Sequence, residues 1–198
     1  MHHIYHTEGI ILSSRSYGEA GKHFHIFTRD LGMITASAQG VRKMSSKLRY
    51  VLQDFAYIKL DLVQGKNIFR LTNASKTNKL EQLVKDKGTF AVFSNIARLL
   101  KRLLAGVEPN ETLFIDLLNG LNILEKAQTK EAEISGELLN IEAIIVLRIL
   151  NNLGYIGENE ILQNLTKSPF EENLVFEVSK DRTKVLHHIN KALKETHL

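Results

Sequence analysis

Up to Thr72 the chain tends to alternate apolar and polar residues, and from Phe90 onward apolar residues return every three or four positions. The first period belongs to strands and the second to helices. Ile4 to Arg15 is rich in β-branched and aromatic residues and predicts a strand, interrupted at Glu8-Gly9 by a bulge or bend. Ser16 to Gly21 reads as a loop. In His23 to Thr28, Phe24, Ile26 and Thr28 share one face, while His23, His25 and Phe27 share the other. Asp30-Leu31-Gly32 is a turn, and Met33 to Val41 is a third strand that ends at Gly40. Arg42 to Arg49 is a polar, basic connection. Val51 to Val63 alternates again, with Phe55, Tyr57, Ile58 and Leu60 as strand formers. Gln64-Gly65-Lys66-Asn67 has the composition of a hairpin turn and leads to a fifth strand, Ile68 to Thr72. Five short strands with regular turns predict a small closed barrel or a sandwich.

The helical period begins with Phe90, Phe93, Ala97, Leu100 and Leu104, and resumes with Leu113, Leu117, Leu121 and Leu124. Gly106 and Pro109 separate these two helices. Ile141, Ile145, Arg148 and Leu153 carry a third, which Leu153-Gly154-Tyr155 closes with a glycine cap. A last helix is predicted over Thr183 to Glu195. The expected class is therefore α+β: a barrel domain over 1–79 and an all-α domain over 80–198.

Composition narrows the classes. With 43% hydrophobic and 24% charged residues the chain is ordinary globular material. It has no cysteine, so disulfides and thiolate zinc sites are excluded. Met1 to Ile10 has no apolar core of a leader, and the longest apolar run, Ala143 to Leu147, is too short for a bilayer. A soluble, cytoplasmic protein without membrane contact is expected.

The net charge of +4 conceals an asymmetry. Residues 1–80 hold 12 Lys+Arg against 5 Asp+Glu, and the remainder 14 against 17. A basic half points to a polyanion such as nucleic acid, or is simply a solvated basic surface. The densest cluster is Arg42, Lys43, Lys47 and Arg49, with Ser45 and Ser46 between them and no acidic residue from Leu31 to Gln53. Such cations neutralise phosphates and release counterions, and serine hydroxyls donate to phosphate oxygens. Arg15 and Lys22 extend the candidate surface. Tyr17, and Phe24 if exposed, can stack a base; for Tyr17 the favoured reading is a loop anchor packed on the barrel, since aromatic residues of small domains are mostly core.

No G-x-x-x-x-G-K-[ST], H-E-x-x-H or G-x-S-x-G pattern is present, so no catalytic residue and no cofactor is expected. His2, His3 and His6 can ligate a metal or be incidental at an exposed terminus. His23 and His25 share a strand face and can bind metal, stack on bases or merely make that face polar. His187 and His188 cannot easily face one ligand. No metal site is assigned.

Thr7-Glu8-Gly9-Ile10-Ile11-Leu12, Arg15, Tyr17-Gly18-Glu19, Phe27-Thr28-Arg29 and Leu31-Gly32 follow one another in an order that resembles the opening of the RecO DNA repair family. Gly40-Val41-Arg42-Lys43, Ser45/Ser46, Leu48-Arg49, Gln53-Asp54-Phe55 and Gly65 continue it. Leu147-Arg148-Ile149-Leu150 with Leu153-Gly154-Tyr155 resembles the family's helical signature. The resemblance implies an OB-type barrel followed by helices. It also implies binding to single- and double-stranded DNA, strand annealing, and help in loading recombinase onto DNA coated by single-strand-binding protein. A RecR-type partner and the tail of single-strand-binding protein are the implied protein contacts. Lys101 and Arg102 are candidates for the rim of a groove that takes such a tail, or are an ordinary solvated helix face.

Two departures stand out. Many family members insert a four-cysteine zinc module after the Leu-Gly-Tyr segment; here residues 156–180 contain no cysteine, so zinc is not expected. The position before Gly40, usually lysine in the family, is Gln39. A generic single-strand-binding barrel outside recombination is the alternative reading. An enzyme whose barrel only recruits substrate is a third, and the missing motifs weigh against it.

Overall fold

The computed structural model describes residues 3–104, 108–127, 136–157 and 159–196, which leaves His2 and Gly106 outside the described residues. The chain divides into two compact units, Met1–Glu81 with Leu104–Glu111, and Gln82–Leu103 with Thr112–Leu198. The segment Leu104–Glu111 thus groups with the barrel, whereas the sequence boundary at 79/80 assigned it to the helices.

The first unit holds β1 (Ile4–Tyr17), β2 (Gly21–Thr28), β3 (Gly32–Ala38), β4 (Tyr57–Gln64) and β5 (Phe69–Lys76). They close into a barrel in the order β1-β2-β3-β5-β4, with β3 and β5 parallel and the other pairs antiparallel. This is the OB-type barrel, and the closed sheet removes the sandwich alternative. Alternation supplies the core: Phe24 and Ile26 of β2 and Ile34 and Ala36 of β3 point inward beside Ile58, Leu60 and Leu62 of β4. Thr28 secures the turn that follows, its hydroxyl donating to the Gly32 carbonyl (2.8 Å) and accepting from the Leu31 amide (3.1 Å).

The structure corrects three local readings. The register of β1 on β2 shifts between Ile11 and Ser13, not at Glu8-Gly9. Gly9 is a point of close approach: a Cβ there would lie 2.8 Å from Ile26 Cγ2. Only Gly18 to Ala20 lie between β1 and β2, because both strands run on into the expected loop. Finally, the fourth strand starts at Tyr57 rather than Val51. The preceding residues form a 3-10 turn, Lys47–Tyr50, and a loop. Leu48, Val51 and Leu52 have the i, i+3, i+4 spacing of a helical face, and all three pack on the barrel core. The loop is held to β1 at the register shift by Phe55 N–H to Ile11 carbonyl (2.7 Å) and Ile11 N–H to Ala56 carbonyl (3.0 Å).

The second unit holds α1 (Lys87–Leu103), α2 (Glu111–Lys126), α3 (Gly136–Asn152), α4 (Glu160–Lys167) and α5 (Glu172–Glu195), although Glu111 itself groups with the barrel. Asp86 starts α1 by accepting the Thr89 amide (2.9 Å). The buried face of α1 runs through Phe93, Ala97 and Leu100; Phe90 is exposed and Leu104 lies just past the helix. α3 is buried nearly all round and packs on α1, α4 and α5. Its end is the expected glycine cap: Gly154 has φ +79°, Tyr155 N–H reaches the Leu150 carbonyl (2.9 Å) and Gly154 N–H the Asn151 carbonyl (3.0 Å). Leu150 is fully buried, whereas Leu153, which the helical period placed on the apolar face, is only half-buried. Residues 156–180, to which the sequence pattern assigned no helix, contain α4, and the last helix begins at Glu172, eleven residues before Thr183, with a break at Asp181 (φ −120°, ψ 23°). Leu162, Leu165, Phe170, Leu174 and Val178 supply the buried side chains there.

Candidate nucleic-acid interface

The basic connection is lifted toward solvent by what lies on either side of it. Val41 and Leu52 are buried in the barrel core at 2% and 1% exposure, so the residues between them are carried over the barrel. Arg42 N–H bonds the Ala20 carbonyl (2.9 Å), which ties the connection to the β1–β2 turn. Lys43 N–H to Gly40 carbonyl and Ser46 N–H to Lys43 carbonyl then curl the chain into the 3-10 turn. Long cationic side chains are thereby presented without unpacking any apolar residue.

Lys22, Val41, Arg42, Arg49, Leu52 and Gln53 line a recess of 470 Å³. Lys22 has the parity of Phe24 and Ile26, so it looks toward the barrel end and donates to Ser14 Oγ (3.2 Å). Lys43 and Lys47 are exposed on the same connection but do not line the recess. Arg15 stands apart: it is exposed on β1, in register with His23 on the outer face of the sheet. Among the described residues none of these six cations is in an ion pair. Their charge is left for an outside anion.

Tyr17 is not an anchor packed into the barrel: it is 60% exposed and stacks on His23, with ring centroids 4.2 Å apart and planes 22° from parallel. Phe24 is fully buried and cannot reach a base. His25 meets Thr35 Oγ1 (3.4 Å), His6 pairs with Asp61 (2.7 Å), and His3 packs its edge against Tyr5. His187 and His188 meet edge to face. No group of three or more His, Cys, Asp or Glu among the described residues is placed to hold a metal ion. Lys101 and Arg102 are exposed in the last turn of α1, in the other unit. No helix among the described residues is long and apolar enough to cross a membrane.

Sequence reasoning missed Arg70. The parallel pairing of β3 with β5 sets Ser37 opposite Arg70, and Ser37 is opposite His23 on its other side. This neighbourhood depends on a non-local strand pair; the only local signal was an exposed arginine in an alternating strand.

The chain is similar to known proteins. The family described as Recombination protein O N terminal matches residues 1–79. A DNA repair protein RecO from Heliobacterium modesticaldum is 34% identical over 155 residues, 78% of this chain and 53% of that protein. The chain belongs to the RecO family. A DNA repair protein RecO from Desulfitobacterium hafniense is 28% identical over 152 residues, 77% of this chain and 52% of its own length. The one from Caldanaerobacter subterraneus is 26% identical over 175 residues, 86% of this chain and 65% of its own. This chain spans about half the length of the first two relatives. Each match is longer than the barrel, so the likeness extends into the helical unit.

Proposed function

We propose that this chain is a recombination mediator of DNA repair that binds single- and double-stranded DNA and has no catalytic chemistry of its own. The observation that carries the reading is the recess where Lys22, Arg42 and Arg49 converge, with no carboxylate paired to them among the described residues. Lys43 and Lys47 on the same connection add to its field, and Arg15 adds to the adjoining outer face. Cations placed this way contact phosphate, not base edges, and so act on any sequence. Neutralising phosphates on two strands also lowers their mutual repulsion, which is what annealing requires.

The names of the relatives support placing this binding in repair. On the family reading the chain anneals complementary strands and assists recombinase loading together with a RecR-type partner. Contact with the acidic tail of single-strand-binding protein is assigned to the helical unit, with Lys101 and Arg102 as the cations nearest to hand. The deciding experiment is annealing of complementary oligonucleotides, bare and coated with single-strand-binding protein. Annealing of both supports a mediator. Annealing of bare strands alone favours a generic single-strand-binding barrel, and no DNA binding at low salt removes both.

A further inference from the structure

The outer face of the barrel carries a feature that phosphate binding alone does not use. Arg15 of β1, His23 of β2, Ser37 of β3 and Arg70 of β5 are successive register partners across four neighbouring strands. At a strand spacing of about 4.8 Å the row is about 14 Å long. Arg15 and Arg70 at its ends are exposed, and among the described residues neither is in an ion pair. Tyr17, next but one to Arg15 along β1, lies over His23 with 60% of its surface open.

We propose that the Tyr17–His23 stack is a step for one unpaired nucleobase, flanked by phosphate contacts from Arg15 and Arg70. The inference rests on the DNA-binding reading above and adds what that reading lacks, a reason to prefer single strands. A base inside a duplex has both faces covered by its neighbours, whereas an unpaired base can lay a face on an aromatic ring. The tyrosine is already held by the imidazole beneath it, so little rotamer freedom remains to be lost on binding. Hydroxyl and guanidinium groups in the same row contact the backbone on either side of that base. Every base has a flat face, so such a step selects strandedness without selecting sequence.

The test compares Tyr17→Ala, Tyr17→Phe and His23→Ala with the unaltered full chain, each bound to a mixed-sequence oligonucleotide and to the matching duplex across a salt series. Tyr17→Ala is expected to weaken single-strand binding about tenfold, the loss of one stacked base. The salt slope should stay the same because no charge is removed. Duplex affinity should be unchanged, Tyr17→Phe should keep the preference, and His23→Ala should fall between. Arg15→Ala with Arg70→Ala should instead flatten the slope by about 0.7 for each phosphate no longer neutralised. Single-strand affinity within twofold of the unaltered chain in Tyr17→Ala overturns the step, as does an equal loss on duplex. In either case Arg42→Ala with Arg49→Ala still tests the recess. An unaltered chain that binds no oligonucleotide overturns the recess reading and the step together.

Discussion

Arg42 and Arg49 line a surface recess and, among the described residues, no carboxylate is paired to them, whereas Arg148 in the helical unit is 4% exposed and donates from all three of its nitrogens. Its Nε reaches the Leu165 carbonyl (2.9 Å), Nη1 the Asp116 carboxylate (3.2 Å) and Nη2 the Ser168 carbonyl, while the guanidinium lies 4.9 Å from the centre of the Phe170 ring. Asn152 bonds the same carboxylate. Burial pulls the Arg148 pKa below its ordinary value and Asp116 pushes it back, and the group stays charged because arginine is so strong a base. One residue type therefore does two jobs. Where the charge has lost its water and found fixed partners, it organises α2, α3, the end of α4 and the segment after it. Where it keeps its water and has no carboxylate partner, it is available to a ligand.

The sharpest way to break this contrast is to remove each arginine and measure stability and binding together. Arg148→Ala leaves Asp116 with Asn152 but without its cation, and takes the guanidinium donor from two carbonyls, and should cost about 3–5 kcal/mol in chemical denaturation. A cost below about 1 kcal/mol would put Arg148 in the same class as a surface arginine. Leu150→Ala, in the same helix and fully buried, should cost about 2–5 kcal/mol, and half-buried Leu153→Ala clearly less. Equal costs would mean that Leu153 is packed as tightly as Leu150.

Arg42→Ala with Lys43→Ala should move stability by no more than about 0.5 kcal/mol. The same change should weaken single-strand binding for all sequences alike and flatten the log–log salt slope by about 0.7 for each phosphate no longer neutralised. An unchanged slope in a folded protein would make the basic connection a solvated loop and send the DNA path elsewhere. The smallest effect is expected on β4, where hydrogen bonds from His6 and Asn73 hold the Asp61 carboxyl below its ordinary value of 3.8. A depressed carboxylate contributes stability above its unfolded pKa and loses it as pH falls through the folded one, so the contribution vanishes only in strong acid. His6→Ala should raise the Asp61 titration toward 3.8, as followed by NMR.

Much of the barrel was legible because it is built from alternation. The inward positions of β2 and β3 were readable as every second residue, and the turn at Asp30 to Gly32 from its composition. The strand assigned from Val51 failed because one apolar residue in three or four was read as a two-residue period. The helical half was legible where one face is apolar, as in α1. It was missed in α4, whose stripe is short and interrupted by polar residues. The basic cluster was visible as composition, yet its division was not: Lys22, Arg42 and Arg49 around one recess, Arg15 on the outer face, Arg70 beside Ser37.

The sequence by itself determined the two periods, the change between them near residue 80, the confinement of excess positive charge to the barrel half, and the family. These are local or additive properties, set by the order of side chains and their count. Only the tertiary structure decided that β5 lies parallel to β3, which cations share a recess, that Tyr17 rests on His23, and that Arg148 is buried with Asp116. Each of these joins residues across a strand pair or a helix contact. Whether a charge is paired or a ring exposed depends on what the closed barrel and the packed helices bring beside it, and no local pattern encodes that neighbour.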